Sequence, residues 1–147
     1  MSELFDMCKS IRNHRISFVL NPEDCWASFD SSLRTVVNGG TWQEVKFLNN
    51  DATDINQQLF TVPNDKGGIY LFVLRPNIVP SVHRYILYVG RVKYTTNQNL
   101  RKRFKEYWKD SRTDIVNMRE TWGKDLYIRY LPLTDNQLID KLEKELI

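Results

Sequence analysis

The spacing of apolar residues changes along this chain, and the change marks its organisation. In the first third the pattern is helical. Residues 2–12 form a weak helical stretch, and Asn21-Pro22 predicts a stronger start, because Asn caps a helix and Pro suits its first turn. Trp26, Phe29, Leu33 and Val36–Val37 follow at helical spacing until Gly39-Gly40 ends the run, so Trp26 reads as a core residue. Residues 49–65 are polar, and Pro63-Asn64-Asp65 reads as a turn.

From Gly67 the period shortens. Gly68–Leu74 and Tyr85–Val89 are compact runs of strand formers, joined by a loop with Pro76 and Pro80, and together they predict a hairpin. Both are apolar on both faces, which predicts cover on both sides. Gly90–Asn99 reads as a loop. Leu100, Phe104 and Trp108 then recur at i, i+4, i+8 as the core face of a helix, with Arg103 and Tyr107 on a neighbouring face. A second helix is predicted over Thr113–Trp122, ended by Gly123, and a strand over Leu126–Leu131. Thr134 with Gln137 three residues on fits a capping box for a last helix, striped by Leu138, Ile139, Leu142 and Leu146. The expectation is an α+β fold with a small antiparallel three-stranded sheet flanked by helices. Its order is β-β-α-α-β-α over residues 67–147, after a mainly helical extension over residues 1–66.

Composition bounds this reading. The 147 residues suit one compact domain. No apolar run approaches the roughly 20 residues that span a bilayer. The acidic Met1–Asp6 segment is not a signal peptide, so a soluble cytoplasmic protein is expected. Cys8 and Cys25 are too few for a zinc site and read as reduced thiols, while His14 and His83 are isolated.

Charge is uneven. The net charge is only +3, yet residues 84–109 carry Arg84, Arg91, Lys93, Arg101, Lys102, Arg103, Lys105 and Lys109 against Glu106 alone. A positive field concentrated in one stretch suits a phosphate backbone, although charge runs are more often solvated helix faces.

Gly68-Ile69-Tyr70 and Tyr88-Val89-Gly90, followed by the basic helix from Leu100, resemble the GIY-YIG nuclease family. The resemblance covers residues 67–147, with the same element order, and Val89 is a common family variant. It implies a metal-dependent endonuclease acting on DNA, with RNA not excluded and Mg²⁺ or Mn²⁺ as cofactor. It implies that Tyr70 and Tyr88 are catalytic phenols on paired strands, Tyr70 helping to deprotonate the attacking water. Arg103 would stabilise the scissile phosphate with a charged fork, for which Arg101 is a rival. Tyr107 would hydrogen-bond the water or phosphate. Glu143 would be the metal ligand, a hard carboxylate of the kind Mg²⁺ accepts. Arg91 and Lys93, just after the second tripeptide, would contact nucleic acid with Arg101, Lys102 and Lys105. A phenol near pKa 10 is a poor base at neutral pH, so a cationic neighbour such as Lys93 is expected to help.

The match has departures. Tyr70 and Tyr88 lie 18 residues apart, with the surplus in the proline-containing loop, and the stretch from Gly90 to Arg103 is long. The family places an Asn beyond its glutamate helix, and the sequence ends at Ile147, which reads as a fragment of a longer protein. Without the resemblance, each Tyr is equally a core aromatic and Glu143 a solvent-facing residue. A binding module that kept the fold without cutting, or a protein-interaction domain using residues 1–66, are the alternatives.

Overall fold

A computed structural model of the chain describes residues 29–77, 79 and 84–146. The predicted helix over residues 2–12, the start at Asn21-Pro22, Trp26, Cys8, Cys25, His14 and His83 lie outside the described residues. Within them a helix, α1 (Ser31–Gly39), begins after non-helical Phe29 and Asp30. Asp30 Oδ1 accepts from the backbone N–H of Ser32 at 2.8 Å and of Leu33 at 3.2 Å, satisfying two donors that a helix start leaves open. The apolar run therefore breaks at a local Asp cap.

Four strands form one antiparallel sheet, not three. They are β1 (Gln43–Lys46), β2 (Gly67–Leu74), β3 (Tyr85–Val92) and β4 (Leu126–Leu133), in spatial order β1-β4-β2-β3. The extra strand β1 comes from the stretch read as helical extension. It has four residues and only Val45 is buried, so its sequence carries almost no period-2 signal; its backbone is organised by pairing with β4. Beyond it, Phe47, Leu48, Leu59 and Val62 join the same core as Tyr70 and Phe72, with Leu59 supplied by a 3₁₀ turn over Gln57–Thr61. Residues before Gly67 thus complete the sheet and its core.

From Gly67 the predicted order holds: β2, β3, α2 (Leu100–Glu106), α3 (Thr113–Trp122), β4, α4 (Asn136–Leu146). The α4 cap differs from expectation by one residue. Asp135 Oδ1, rather than Thr134, accepts from the N–H groups of Gln137 at 2.8 Å and Leu138 at 3.2 Å. β3 also departs from expectation: among the described strands it is at the sheet edge beside β2, and its first residues, Tyr85 and Ile86, are exposed.

Central β2 is covered on both faces, and the alternation of its side chains divides the molecule into two cores. Tyr70 and Phe72 pack with Phe104, Tyr107 and Tyr130 on one face. Ile69 packs with Leu33, Ile139 and Leu142 on the other. Adjacent residues of the first tripeptide therefore anchor different layers, Tyr70 the α2 side and Ile69 the α4 side. No helix among the described residues is long and apolar enough to cross a membrane.

Candidate active site

Strand register sets the site. Tyr70 lies opposite Gly90, so the last residue of the second tripeptide faces the last residue of the first. A Cβ at position 90 would stand 2.6 Å from Tyr70 Cζ and 2.7 Å from its hydroxyl. Glycine is required there for the phenol to lie flat across β3. Tyr88 lies opposite Phe72, two pairs further along, so the two motif phenols share a sheet face but are offset rather than directly opposite.

Tyr107 fills the space between them. It follows the last residue of α2, and its fully buried ring packs edge-on to Tyr70, Phe72 and Tyr88 at centroid distances of 6.0, 4.9 and 5.9 Å. The Tyr70 and Tyr107 hydroxyls share a hydrogen bond of 2.7 Å. Arg103, one helical turn before Tyr107, covers this pair. Its Nε donates to Tyr70 Oη and one Nη to Tyr107 Oη, both at 3.4 Å, and the guanidinium stands 4.7 Å from the centre of the Tyr107 ring. Its remaining Nη meets Glu106 Oε2 at 3.3 Å. Leu100 and Phe104, buried on the inner face of α2, fix the helix so that Arg103 lies over the phenols.

Burial governs the phenols. It raises the Tyr70 pKa above the usual phenol value, more than the hydrogen bonds from Tyr107 and Arg103 lower it. Tyr107 is likewise pushed up, first by burial and then by Tyr70 beside it. Lys93, expected beside Tyr70, instead pairs with Asp140. Both phenols are neutral at ordinary pH, and this has a consequence for stability. Below about pH 10 they are protonated folded or unfolded; above it the unfolded chain releases protons that the folded chain retains. Stability is therefore expected to fall as pH rises past about 10, and less steeply in Tyr70→Phe, as read by melting temperature. Phenolate absorbance showing every tyrosine of the folded chain ionising together near 10 would contradict this.

A second charged group lies on the other sheet face. Arg91 pairs in register with Ile69 and faces α4. Its Nε donates to Glu143 Oε2 and one Nη is 3.1 Å from Asp140, while Lys93 Nζ meets Asp140 at 2.6 Å. Asp140 and Glu143 are one turn apart, buried Ile139 and Leu142 beside them holding the helix on the sheet. Lys93 holds the Asp140 carboxyl below its usual range, and Glu143 keeps Arg91 firmly charged. Among the described residues no hydrogen bond or ion pair joins Glu143 to Arg103 or Tyr70. The two groups meet at the β3 edge, where Arg91, Val92, Lys93, Thr95, Gln98 and Arg103 line an open cleft of about 270 Å³.

Three of the basic residues read as nucleic-acid contacts are engaged elsewhere. Arg101 Nε donates to the Val62 carbonyl at 2.7 Å, Lys102 Nζ to the Asn97 carbonyl at 2.6 Å, and Lys105 Nζ stands 3.9 Å from the Phe60 ring centre. Arg101 is thus turned toward the polypeptide, and Arg103 has the site position. The pairing of Asp140 with Glu143 was open to sequence reading, since i, i+3 carboxylates share a helix face. The partnership of Glu106 with Arg103 was open on the same ground.

Whether a divalent ion fits can be judged from the donors. Among the described residues no group of three or more His, Cys, Asp or Glu is placed to hold a metal ion. Mg²⁺ keeps several waters and takes only one or two carboxylates, and Glu143 with Asp140 supplies those oxygens. The donor set fits such a lightly held ion, provided Arg91 yields its hold on Glu143. No family model, curated protein or solved structure matches this chain.

Proposed function

We propose that this chain carries a GIY-YIG-type endonuclease domain that hydrolyses DNA phosphodiester bonds with a divalent ion. The observation that carries the reading is the Tyr70–Tyr107–Arg103 cluster. Both tripeptides and the basic helix, separated in sequence, converge on it, and Gly90 is the residue that lets Tyr70 occupy its place. Arg103 is a charged fork oriented by two neutral phenols, with its side chain 29% exposed at the cleft. In this role it binds the nonbridging oxygens of the scissile phosphate and stabilises the charge that builds there. Tyr70 and Tyr107, kept protonated by burial, serve as hydrogen-bonding groups that orient Arg103 and hold the phosphate or water, not as phenolates. Arg91 and Lys93 attract the strand to the cleft. Glu143, with Asp140 one turn earlier, would hold the ion, whose chemistry when bound is to polarise the phosphate and ease departure of the leaving oxygen.

The proposal predicts that Mg²⁺ or Mn²⁺ supports nicking of a supercoiled plasmid and that Glu143→Ala abolishes it. Undiminished nicking by Glu143→Ala would remove the ligand assignment. One observation favours a second reading, a module that binds nucleic acid without cutting it: Arg91 occupies Glu143, and Arg103 and Tyr107 engage the Tyr70 hydroxyl. Steeply salt-dependent DNA binding with no nicking would select that reading.

A further inference from the structure

Arg112 stands at the tyrosine cluster although nothing in the tripeptide motifs points to it. Its guanidinium lies 5.8 Å from the centre of the Tyr107 ring that also carries Arg103. Asp110 first, and the hydroxyls of Tyr88 and Tyr107 after it, hold its guanidinium above the usual arginine range. Asp110 grips one edge of the fork, Nε at 3.1 Å from each carboxylate oxygen and Nη2 at 2.8 Å. That leaves the Nη1 edge outside the bidentate pair. Asp110 also feels the field of Arg103, so the two arginines share one neighbourhood.

Helix stability does not explain the residue. Arg112 is the N-cap of α3 and makes no side-chain capping bond, whereas Ser, Asp or Asn at that place would satisfy an open N–H. Its side chain is 46% exposed while that of Asp110 is 16% exposed, so the anchor is sheltered and the guanidinium meets solvent. An arginine held in one geometry by a sheltered carboxylate loses little freedom when it binds an anion. We propose that Arg112 is a second phosphate-contact residue, gripping the DNA strand at a phosphate adjacent to the one held by Arg103. This rests on the nuclease reading of the Arg103 site. The partner is a polyanionic strand rather than a lone phosphate, because Arg103 and Arg112 approach one ring as separate forks, each with its own carboxylate tether.

The test is equilibrium binding of a fluorescently labelled DNA duplex to the full chain without divalent metal, over a salt series. Wild type, Arg103→Ala, Arg112→Ser and Arg112→Lys are compared, with a melting curve for each. Arg112→Ser restores a good N-cap residue, which favours its folding. It is expected to weaken binding about fivefold to tenfold and to reduce the slope of log affinity against log salt by about one. Arg112→Lys is expected to keep the slope, since a point charge remains, while losing part of the affinity. Wild-type affinity and slope in Arg112→Ser, with binding weakened in Arg103→Ala, would overturn the Arg112 assignment and leave the nuclease reading standing. Weakened binding by Arg112→Ser with an unchanged slope would also overturn it, showing a structural role. Absence of salt-dependent binding by the wild type would remove both.

Discussion

Gly68→Ala is expected to destabilise the fold by about 3 kcal/mol or more, from backbone strain added to overpacking. Gly68 has φ +156°, in the range that residues with a side chain rarely adopt. A Cβ built there stands 2.2 Å from the Leu131 carbonyl oxygen and 3.2 Å from Pro132 Cα. Those atoms are backbone of β4, held in register with β2 at Gly68 and Pro132. Relief would require β4 to separate from the centre of the sheet. The melting temperature should fall by roughly 10 °C or more. Because Ile69 and Tyr70 follow directly, any surviving folded protein should also lose the Tyr70–Tyr107 contact and with it the placement of Arg103. A melting curve within a few degrees of wild type would show that the sheet accommodates the methyl group and that the first motif glycine serves another purpose.

Arg103→Ala is expected to lower DNA cutting by about 10³-fold, the scale on which removing one preorganised charge stabiliser acts. Stability should change much less. The Tyr70–Tyr107 hydrogen bond does not depend on Arg103, and the arginine's links to both hydroxyls are long, at 3.4 Å. Arg103→Lys should restore only a small part of the activity. A lysine keeps the charge but cannot address two phenols and Glu106 from one planar fork. Plasmid nicking under single-turnover conditions, with melting curves alongside, separates the two effects. Near-wild-type nicking by Arg103→Ala would place the chemistry elsewhere.

Much of the sheet and the α2 site was legible because it depends on local rules. Compact runs of strand formers located β2 and β3, alternation located β4, and i, i+4 spacing put Leu100 and Phe104 inside with Arg103 and Tyr107 on the next face. Thr113–Trp122, ended by Gly123, was bounded as the structure has it. The motif tyrosines and glycines could be named from their order alone. What escaped depended on partners distant in the chain. β1 is a strand because β4 offers it hydrogen bonds, and Arg101 turns away because the Val62 carbonyl is within its reach. The offset of Tyr88 from Tyr70 follows from pairing register, which no single strand encodes.

Electrostatics shows the same division. The sequence by itself determined which residues carry charge and that positive charge gathers between Arg84 and Lys109. Only the tertiary structure decided which of those charges reach the cleft. Arg91 and Lys93 meet Asp140 and Glu143 on one sheet face, Arg103 stands over Tyr107 on the other, and burial keeps the phenols protonated. The physical reason is that charge and hydrophobic period are properties of single residues and near neighbours. Pairing, desolvation and the choice of carboxylate partner are fixed only when strands and helices close on one another.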